Sequence, residues 1–357
     1  MNAMNGQSGQ SVEHALQSAS GRVRIEGTEQ SFECGERDTL LTAALRAGIG
    51  LPYECNSGGC GSCKIDLVDG LLDVQRPDAP GLKPRDWGRG KRLACQSRAA
   101  GACTIRFRED VRYVPTISPR RMLARLVARR ALTHDLTEFG FAVEGEARFL
   151  PGQYALMHLP GVPGPRAYSM SNIANRDGRW EFQIKRVPGG VATALLFDGL
   201  ETGAEIALEA PFSIAHLRPE ISRDIVCIAG GSGLAPMLSI ARGVLAEPAM
   251  SGRRVHFFYG GREPADIVSL EWLGISCGPG TRICFVPVIS DGRSEAAASW
   301  IGDRGFVHEA VSSRLGAAAG SYEYYLAGPP PMVEAARRML VLEKSVPVEQ
   351  VHYDRFY

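Results

Sequence analysis

The chain has 357 residues, a length that predicts two or three domains. A hydrophobic share of 45% and a charged share of 22% are ordinary for a globular protein, and a net charge of +1 leaves no electrostatic case for binding nucleic acid or an anionic membrane. The longest uncharged apolar run, 225–240, is short and broken by Gly230, Gly231 and Gly233, which argues against a membrane span. Residues 1–20 are polar, lack the basic-then-apolar pattern of a secretory signal, and read as a loose tail. Nine cysteines without such a signal argue against a disulfide framework and for a reducing, cytoplasmic setting.

Residues 22–32 alternate like a short hairpin, with Val23, Ile25 and Phe32 expected to face inward. The run 38–48 predicts a helix with Asp38 as N-cap, Leu41, Ala44 and Leu45 on one face, and Gly48 closing it. Next comes Cys55-Asn-Ser-Gly-Gly-Cys60-Gly-Ser-Cys63, in C-x4-C-x2-C spacing, with Cys95 further along. A two-iron cluster needs four thiolates converging from several sides, so a tight loop supplies three and a distant segment the fourth. Gly58, Gly59 and Gly61 let the backbone bend closely round such a cluster, and their N–H groups can donate to its sulfurs. A structural zinc site would bring two short-spaced cysteine pairs, and here there is one at most. Residues 64–70 alternate and end in an Asp-Gly turn, 104–107 is a last strand, and 109–118 reads as a linker next to Pro115 and Pro119. The stretch 21–110 resembles a plant-type [2Fe–2S] ferredoxin domain, which implies a β-grasp fold with Cys55, Cys60, Cys63 and Cys95 as iron ligands. Cys227 and Cys284 lie inside apolar runs and are expected to be buried.

From 119 to 220 the pattern changes to short strands at 122–127, 138–143, 154–159, 180–187 and 205–208, separated by glycine and proline turns, which suggests a small antiparallel barrel. Within it lie Arg166-Ala167-Tyr168-Ser169 and, later, Lys185 followed by Gly189-Gly190-Val191-Ala-Thr193. The second run joins a strand to a helix through two glycines, a natural seat for phosphate. The pair resembles the FAD-binding signature of the ferredoxin–NADP reductase superfamily. That resemblance implies Arg166 on the pyrophosphate, Tyr168 stacked on the isoalloxazine, Ser169 near flavin N5, and Gly190 with Thr193 at the diphosphate.

From 221 to 357 apolar strands alternate with helices. The strand 224–229 is continuously apolar, as in a parallel sheet buried on both faces, and runs into Gly230-Gly231-Ser232-Gly233 and a helix at about 237–245. Strand, glycine loop and helix offer backbone N–H groups to a dinucleotide pyrophosphate, although the ordinary G-x-G-x-x-G is not met. Strands follow at 255–259, 283–289 and 324–327, and the last, read as the fourth, runs into Gly328-Pro329-Pro330-Pro331. This run resembles the superfamily's nicotinamide-side motif, with Ala327 where a cysteine is usual. The same resemblance makes Phe356, near the aromatic end of the chain, the expected cover of the flavin. His158, His216, His256 and His308 are scattered and show no metal spacing. Arg262 after the second strand favours NADPH, whereas Glu263 and Asp266 favour NADH; NADH is the expectation, with NADPH tolerated.

The order ferredoxin, FAD domain, NAD domain resembles the reductase component of bacterial multicomponent oxygenases. It implies an NADH-dependent oxidoreductase passing electrons through FAD and a [2Fe–2S] cluster, one at a time, to an oxygenase component or its ferredoxin, in an aromatic or hydrocarbon hydroxylating system. No side chain is expected to act as nucleophile or general base. Two alternatives remain at the level of sequence: an iron–sulfur flavoprotein reductase for a non-oxygenase acceptor, and a non-redox regulator that binds zinc and a nucleotide.

Overall fold

The computed structural model describes residues 20–269, 273, 274, 276, 280–293 and 295–357. The expected tail, apart from Ser20, and Cys277 lie outside the described residues. Two compact units divide the chain, Met1–Arg120 and Arg121–Tyr357. Among the described residues no helix is long and apolar enough to cross a membrane.

The first unit holds strands β1 (Gly21–Ile25), β2 (Ser31–Cys34), β3 (Lys64–Asp69), β4 (Leu72–Val74), β5 (Lys91–Leu93), β6 (Ser97–Ala99) and β7 (Cys103–Arg106). Five form a sheet in the order β2-β1-β7-β3-β5, in which only β1 and β7 run parallel. Val23, Ile25 and Phe32 are buried, as the alternation requires. Helix α1 (Leu40–Arg46) buries Leu40, Leu41, Ala44 and Leu45, and each leucine contributes roughly 2 kcal/mol by leaving water. Its N-cap is Thr39 rather than Asp38: the Thr39 hydroxyl accepts the Thr42 N–H at 3.2 Å. Asp38 is drawn away by the Arg46 guanidinium at 2.8 Å and the Gly35 N–H at 3.2 Å. Gly48, at φ +77°, ends the helix as expected. A one-turn helix, α2 (Pro84–Trp87), lies between β4 and β5.

The second unit begins with a sheet of β8 (Arg120–Ala131), β9 (Leu136–Val143), β10 (Tyr154–His158), β11 (Arg166–Ser169), β12 (Arg179–Lys185) and β13 (Glu205–Phe212). Its order is β11-β10-β13-β8-β9-β12, and a bridge between Met170 and Phe182 joins the two edges into a nearly closed antiparallel barrel. Phe139, Phe141, Trp180 and Phe182 fill it. Alternation had not revealed β11, the strand that carries Arg166 and Tyr168.

A parallel sheet follows, with β14 (Asp224–Gly230), β15 (Val255–Gly261), β16 (Ile283–Ile289), β17 (Asp303–Arg304), β18 (Tyr322–Gly328) and β19 (Val351–Arg355) in the order β17-β16-β15-β14-β18-β19. Between barrel and sheet in sequence lies a short helix, α3 (Val191–Ala194). On β14, Ile225, Cys227 and Ala229 pack with helix α4 (Leu234–Ala246), while Val226 and Ile228 pack with α5 (Val307–Leu315) and α6 (Pro330–Arg338). Both faces of the strand are therefore apolar, which explains its unbroken run. Three expectations change. Cys284 is exposed, because it is the second residue of β16, ahead of the buried part of its face, which begins at Val286. The short β17 makes β18 the fifth strand, not the fourth. The aromatic run at 351–357 is largely a sixth strand, held parallel to β18.

Candidate functional site

The three-cysteine loop is shaped by left-handed residues: Asn56 at φ +51°, Gly58 at +83° and Gly61 at +77°. Cys55 and Cys60 lie in this turn and Cys63 just before β3, while Cys95 comes from a 3-10 turn after β5. The Ser57 and Cys60 N–H groups donate to Cys55 Sγ at 3.5 and 3.3 Å. The Ser62 N–H donates to Cys60 Sγ at 3.4 Å, and Gln96 Nε2 donates to Cys95 Sγ at 3.4 Å. The thiols meet in two pairs. Cys55 is pulled down to about 5, first by its bond from Cys60 and then by the Ser57 and Cys60 N–H groups. Cys60 is pushed up by the same shared proton, and Cys63 is pushed up by Cys95 and by full burial.

This pairing bears on which metal the site fits. A single zinc about 2.3 Å from each sulfur would draw all four together. Among the described residues, the one set of three or more ligand atoms within 4.8 Å of one another belongs to His134, Asp135 and Asp266, so no three of the cysteine sulfurs gather that closely. Two thiol pairs, each with N–H donors, fit two irons bridged by sulfide. Asn56 adds to the fit: its Nδ2 is buried beside Cys55 and has no partner, a donor suited to a cluster sulfur. Sequence reasoning missed Gly81. Its N–H donates to Gly58 O at 2.9 Å, and a Cβ on it would lie 2.6 Å from Gly61 N and 2.8 Å from Gly58 O. Only glycine fits beneath the cysteine loop.

In the second unit, Arg166, Ala167, Tyr168 and Ser169 stand on β11. Arg166 Nη1 rests on the carbonyls of Pro163, Gly164 and Pro165 at 3.0 to 3.3 Å. Tyr168 is partly buried, and burial pushes its hydroxyl up to about 12, so it remains a neutral ring that can stack. Below, the Ser171 hydroxyl is fully buried without a partner. Gly189 has φ +70° and open space where a Cβ would stand, so the backbone beside Gly190 and Val191 is accessible to a bulky anion. The Thr193 hydroxyl is turned inward: it donates towards Val187 O and Gly190 O and accepts the Val187 N–H, all at 3.1 to 3.2 Å. It shapes the turn rather than facing outward. Helix α4 joins this segment to the parallel sheet through Ser239, whose hydroxyl donates to Asn172 O at 2.6 Å, and Arg242, which donates to Ser171 O at 2.9 Å. Neither residue was singled out in the sequence.

The glycine loop after β14 is packed against the end of β18. A Cβ on Gly233 would lie 1.9 Å from Ala327 O, and one on Gly230 would lie 2.4 Å from Met332 Sδ. Ser232 is partly exposed between them, and Gly231, at φ +56°, has only Lys185 within 4 Å of its would-be Cβ. Pro329 and Pro330 open α6, with Pro330 at its first position, where a missing N–H costs nothing. Phe356 donates its N–H to Gly328 O at 3.0 Å and packs on the core, whereas Tyr357 is 56% exposed. The structure thus gathers Lys185, Gly231, Gly328 and Phe356 along one side of the second unit.

The turn after β15 changes the nucleotide reading. Asp266 accepts the N–H groups of Arg262 and Glu263 at 2.9 and 3.2 Å and pairs with Lys185 at 3.5 Å. Burial alone would raise its carboxyl, but the two N–H groups and Lys185 hold it below the usual range. Its carboxylate is committed to the turn, which leaves the exposed Arg262 and Glu263 as the groups facing solvent. Just after the neighbouring strand β16, Ser290 and Asp291 donate their N–H groups to Gly261 O and Arg262 O at 3.0 and 2.8 Å. No local pattern could have announced those neighbours.

Three family matches follow this architecture. Residues 23–100 match the 2Fe-2S iron-sulfur cluster binding domain, 123–216 the oxidoreductase FAD-binding domain, and 227–338 the oxidoreductase NAD-binding domain. The chain is 43% identical to the ferredoxin–NAD(P)(+) reductase CarAd of Metapseudomonas resinovorans, over 94% of this chain and 99% of that one. It is 38% identical to the ferredoxin–NAD(+) reductase component of the alkene monooxygenase system of Xanthobacter autotrophicus, over 92% and 98%. The solved structure of a ferredoxin reductase in carbazole 1,9a-dioxygenase superposes with a TM-score of 0.87 at 41% identity, covering 95% of this chain and 99% of that one. A two-paired thiol loop, a barrel with a FAD-type signature and a glycine-lined parallel sheet, in that order, therefore place this chain in the family of ferredoxin–NAD(P)+ reductase components of oxygenase systems.

Proposed function

We propose that this protein takes electron pairs from NADH and delivers them singly to an oxygenase, or to a small carrier that serves one, acting on aromatic or hydrocarbon substrates. The observation that carries it is the cysteine loop, in which N–H groups donate to the sulfurs of Cys55, Cys60 and Cys95, in a chain that matches the 2Fe-2S, FAD and NAD domains in turn. When bound, FAD accepts a hydride from NADH and the cluster carries electrons onward one at a time. The residues of the chain supply placement. Arg166 and the backbone of Gly189, which is open, and of Gly190 would hold the diphosphate of FAD, and Tyr168 and Phe356 would pack on its ring system. The backbone of 230–233, with Lys185 beside it, takes the pyrophosphate of the nicotinamide cofactor, and Gly328 to Pro330 border the nicotinamide. NADH is preferred because Glu263 is free to accept from a ribose 2′-hydroxyl.

Anaerobic titration of the purified protein with NADH, followed by visible and EPR spectra, tests this. The expected result is a bleached flavin together with the signal of a reduced two-iron cluster. A colourless protein that contains zinc would instead favour the regulatory alternative.

A further inference from the structure

Between Arg76 and Arg92 the chain has six Lys or Arg against two Asp. This segment lies directly against the cysteine loop. Gly81 is bonded to Gly58, Arg76 Nη1 reaches Ser57 O at 3.4 Å, and Lys64, next to Cys63, is bonded to Asp86 at 2.9 Å. The cations divide by occupation. Lys91 is paired with Asp66 at 2.8 Å, Arg92 lies over the Trp87 ring at 3.9 Å, and Arg76 is 3.9 Å from Asp78. Lys83, Arg85 and Arg89 are exposed, and among the described residues their side chains make no salt bridge or hydrogen bond. Asp86, which could have neutralised them, is buried on Lys64. Cys60 is the one partly exposed thiol of the four, so this side of the loop is where a cluster edge would come nearest to solvent.

We infer that Lys83, Arg85 and Arg89 form a docking rim for an acidic one-electron carrier protein, the acceptor of the proposed function, on which this inference rests. Uncompensated cations held on a short helix and its flanking turns cost self-repulsion, and a partner's carboxylates relieve it. Rim charges of this kind act mainly by steering the encounter, so they set the association rate and its salt dependence. The transfer itself is the movement of one electron from the reduced cluster to the oxidised carrier; the cluster is oxidised, the carrier reduced, and no proton or bond is exchanged.

The test uses the full chain loaded with FAD and cluster, as wild type and as the triple variant Lys83→Glu, Arg85→Glu, Arg89→Glu. The probes are rubredoxin, an acidic iron carrier, and cytochrome c, a basic haem protein. In the wild type, rubredoxin reduction should slow as salt is raised. In the variant at low salt, it should drop about tenfold while cytochrome c reduction rises. The rate at which NADH bleaches the cluster without any acceptor should be unchanged. Equal rubredoxin rates in both proteins at low salt would overturn the inference. So would a variant in which NADH bleaches the cluster more slowly, since the rim would then serve electron entry. If NADH fails to reduce the wild-type cluster at all, the functional reading falls, and the docking rim falls with it.

Discussion

At the scale of single residues, two side chains do what their neighbours in the sequence do not disclose. Asn56 tolerates the left-handed turn after Cys55 and keeps its amide nitrogen buried and unpartnered. A donor aimed at cluster sulfur stabilises the more negative, reduced state. Asn56→Gly keeps a residue that tolerates this backbone, removes the donor and adds no charge. The midpoint potential should fall by roughly 40 mV, the one-electron equivalent of a hydrogen bond worth about 1 kcal/mol, as read by a spectroscopic redox titration. An unchanged potential would show that the amide faces elsewhere. Arg262 is the second case. With Asp266 accepting the N–H groups of its own turn, the proposed choice between the two nucleotides falls to Arg262 and Glu263. Arg262→Ala should lower kcat/KM for NADPH about tenfold, the worth of one charge-assisted contact, and leave NADH within about twofold. Equal losses would place Arg262 on a part common to both cofactors.

At the scale of elements, close backbone approaches and one buried ion pair govern stability. The cysteine loop rests on Gly81, and a methyl group there would push against backbone that cannot yield. Gly81→Ala should strain the loop by about 1–3 kcal/mol. The purified variant should contain less iron per chain with flavin content unchanged; full iron occupancy would contradict the packing argument. In the parallel sheet, β18 and β19 are joined near their starts by Glu323, which is 1% exposed and lies 2.6 Å from His352 and 2.8 Å from Arg223. Burial alone would raise the Glu323 carboxyl, but His352 and Arg223 outweigh it and hold it below the usual range. Its contribution is therefore complete above the ordinary carboxylate range and is lost as pH falls through the lowered folded value. Glu323→Gln should cost about 3 kcal/mol at neutral pH, by leaving its partners unpaired, and the gap from wild type should narrow in acid. Urea midpoints at several pH values measure this, and a gap that widens in acid would reverse the sign.

At the scale of the whole molecule, the two units have separate cores. Damage to one should then spare the cofactor of the other. Cys60→Ala should abolish the iron–sulfur EPR signal and the reduction of one-electron protein carriers, yet keep bound FAD and NADH–ferricyanide activity. Iron and sulfide contents equal to wild type would remove Cys60 from the ligand set. FAD lost together with the cluster would show that the units depend on each other for folding.

What the amino-acid sequence determined alone is what depends on residues close together in the chain. Cysteine spacing, left-handed glycines in the loop and the change from alternating to continuous apolar strands are local patterns, and they were enough to divide the chain into ferredoxin, barrel and parallel-sheet modules. The helix at 40–46 was equally legible, although its cap moved by one residue because Asp38 had a guanidinium to meet. Tertiary structure decided everything that depends on segments brought together from a distance. Gly81 acquired its role from packing on Gly58 and Gly61, Asp266 lost its expected role by closing a turn with Lys185, and Ser239 and Arg242 came to hold the flavin-signature segment from a helix of the next module. The closing stretch became β19 because β18 had an open edge to pair with, and that pairing sets Phe356 beside Gly328. Register across a parallel sheet is chosen by burial and by the neighbouring strand, neither of which a run of side chains contains.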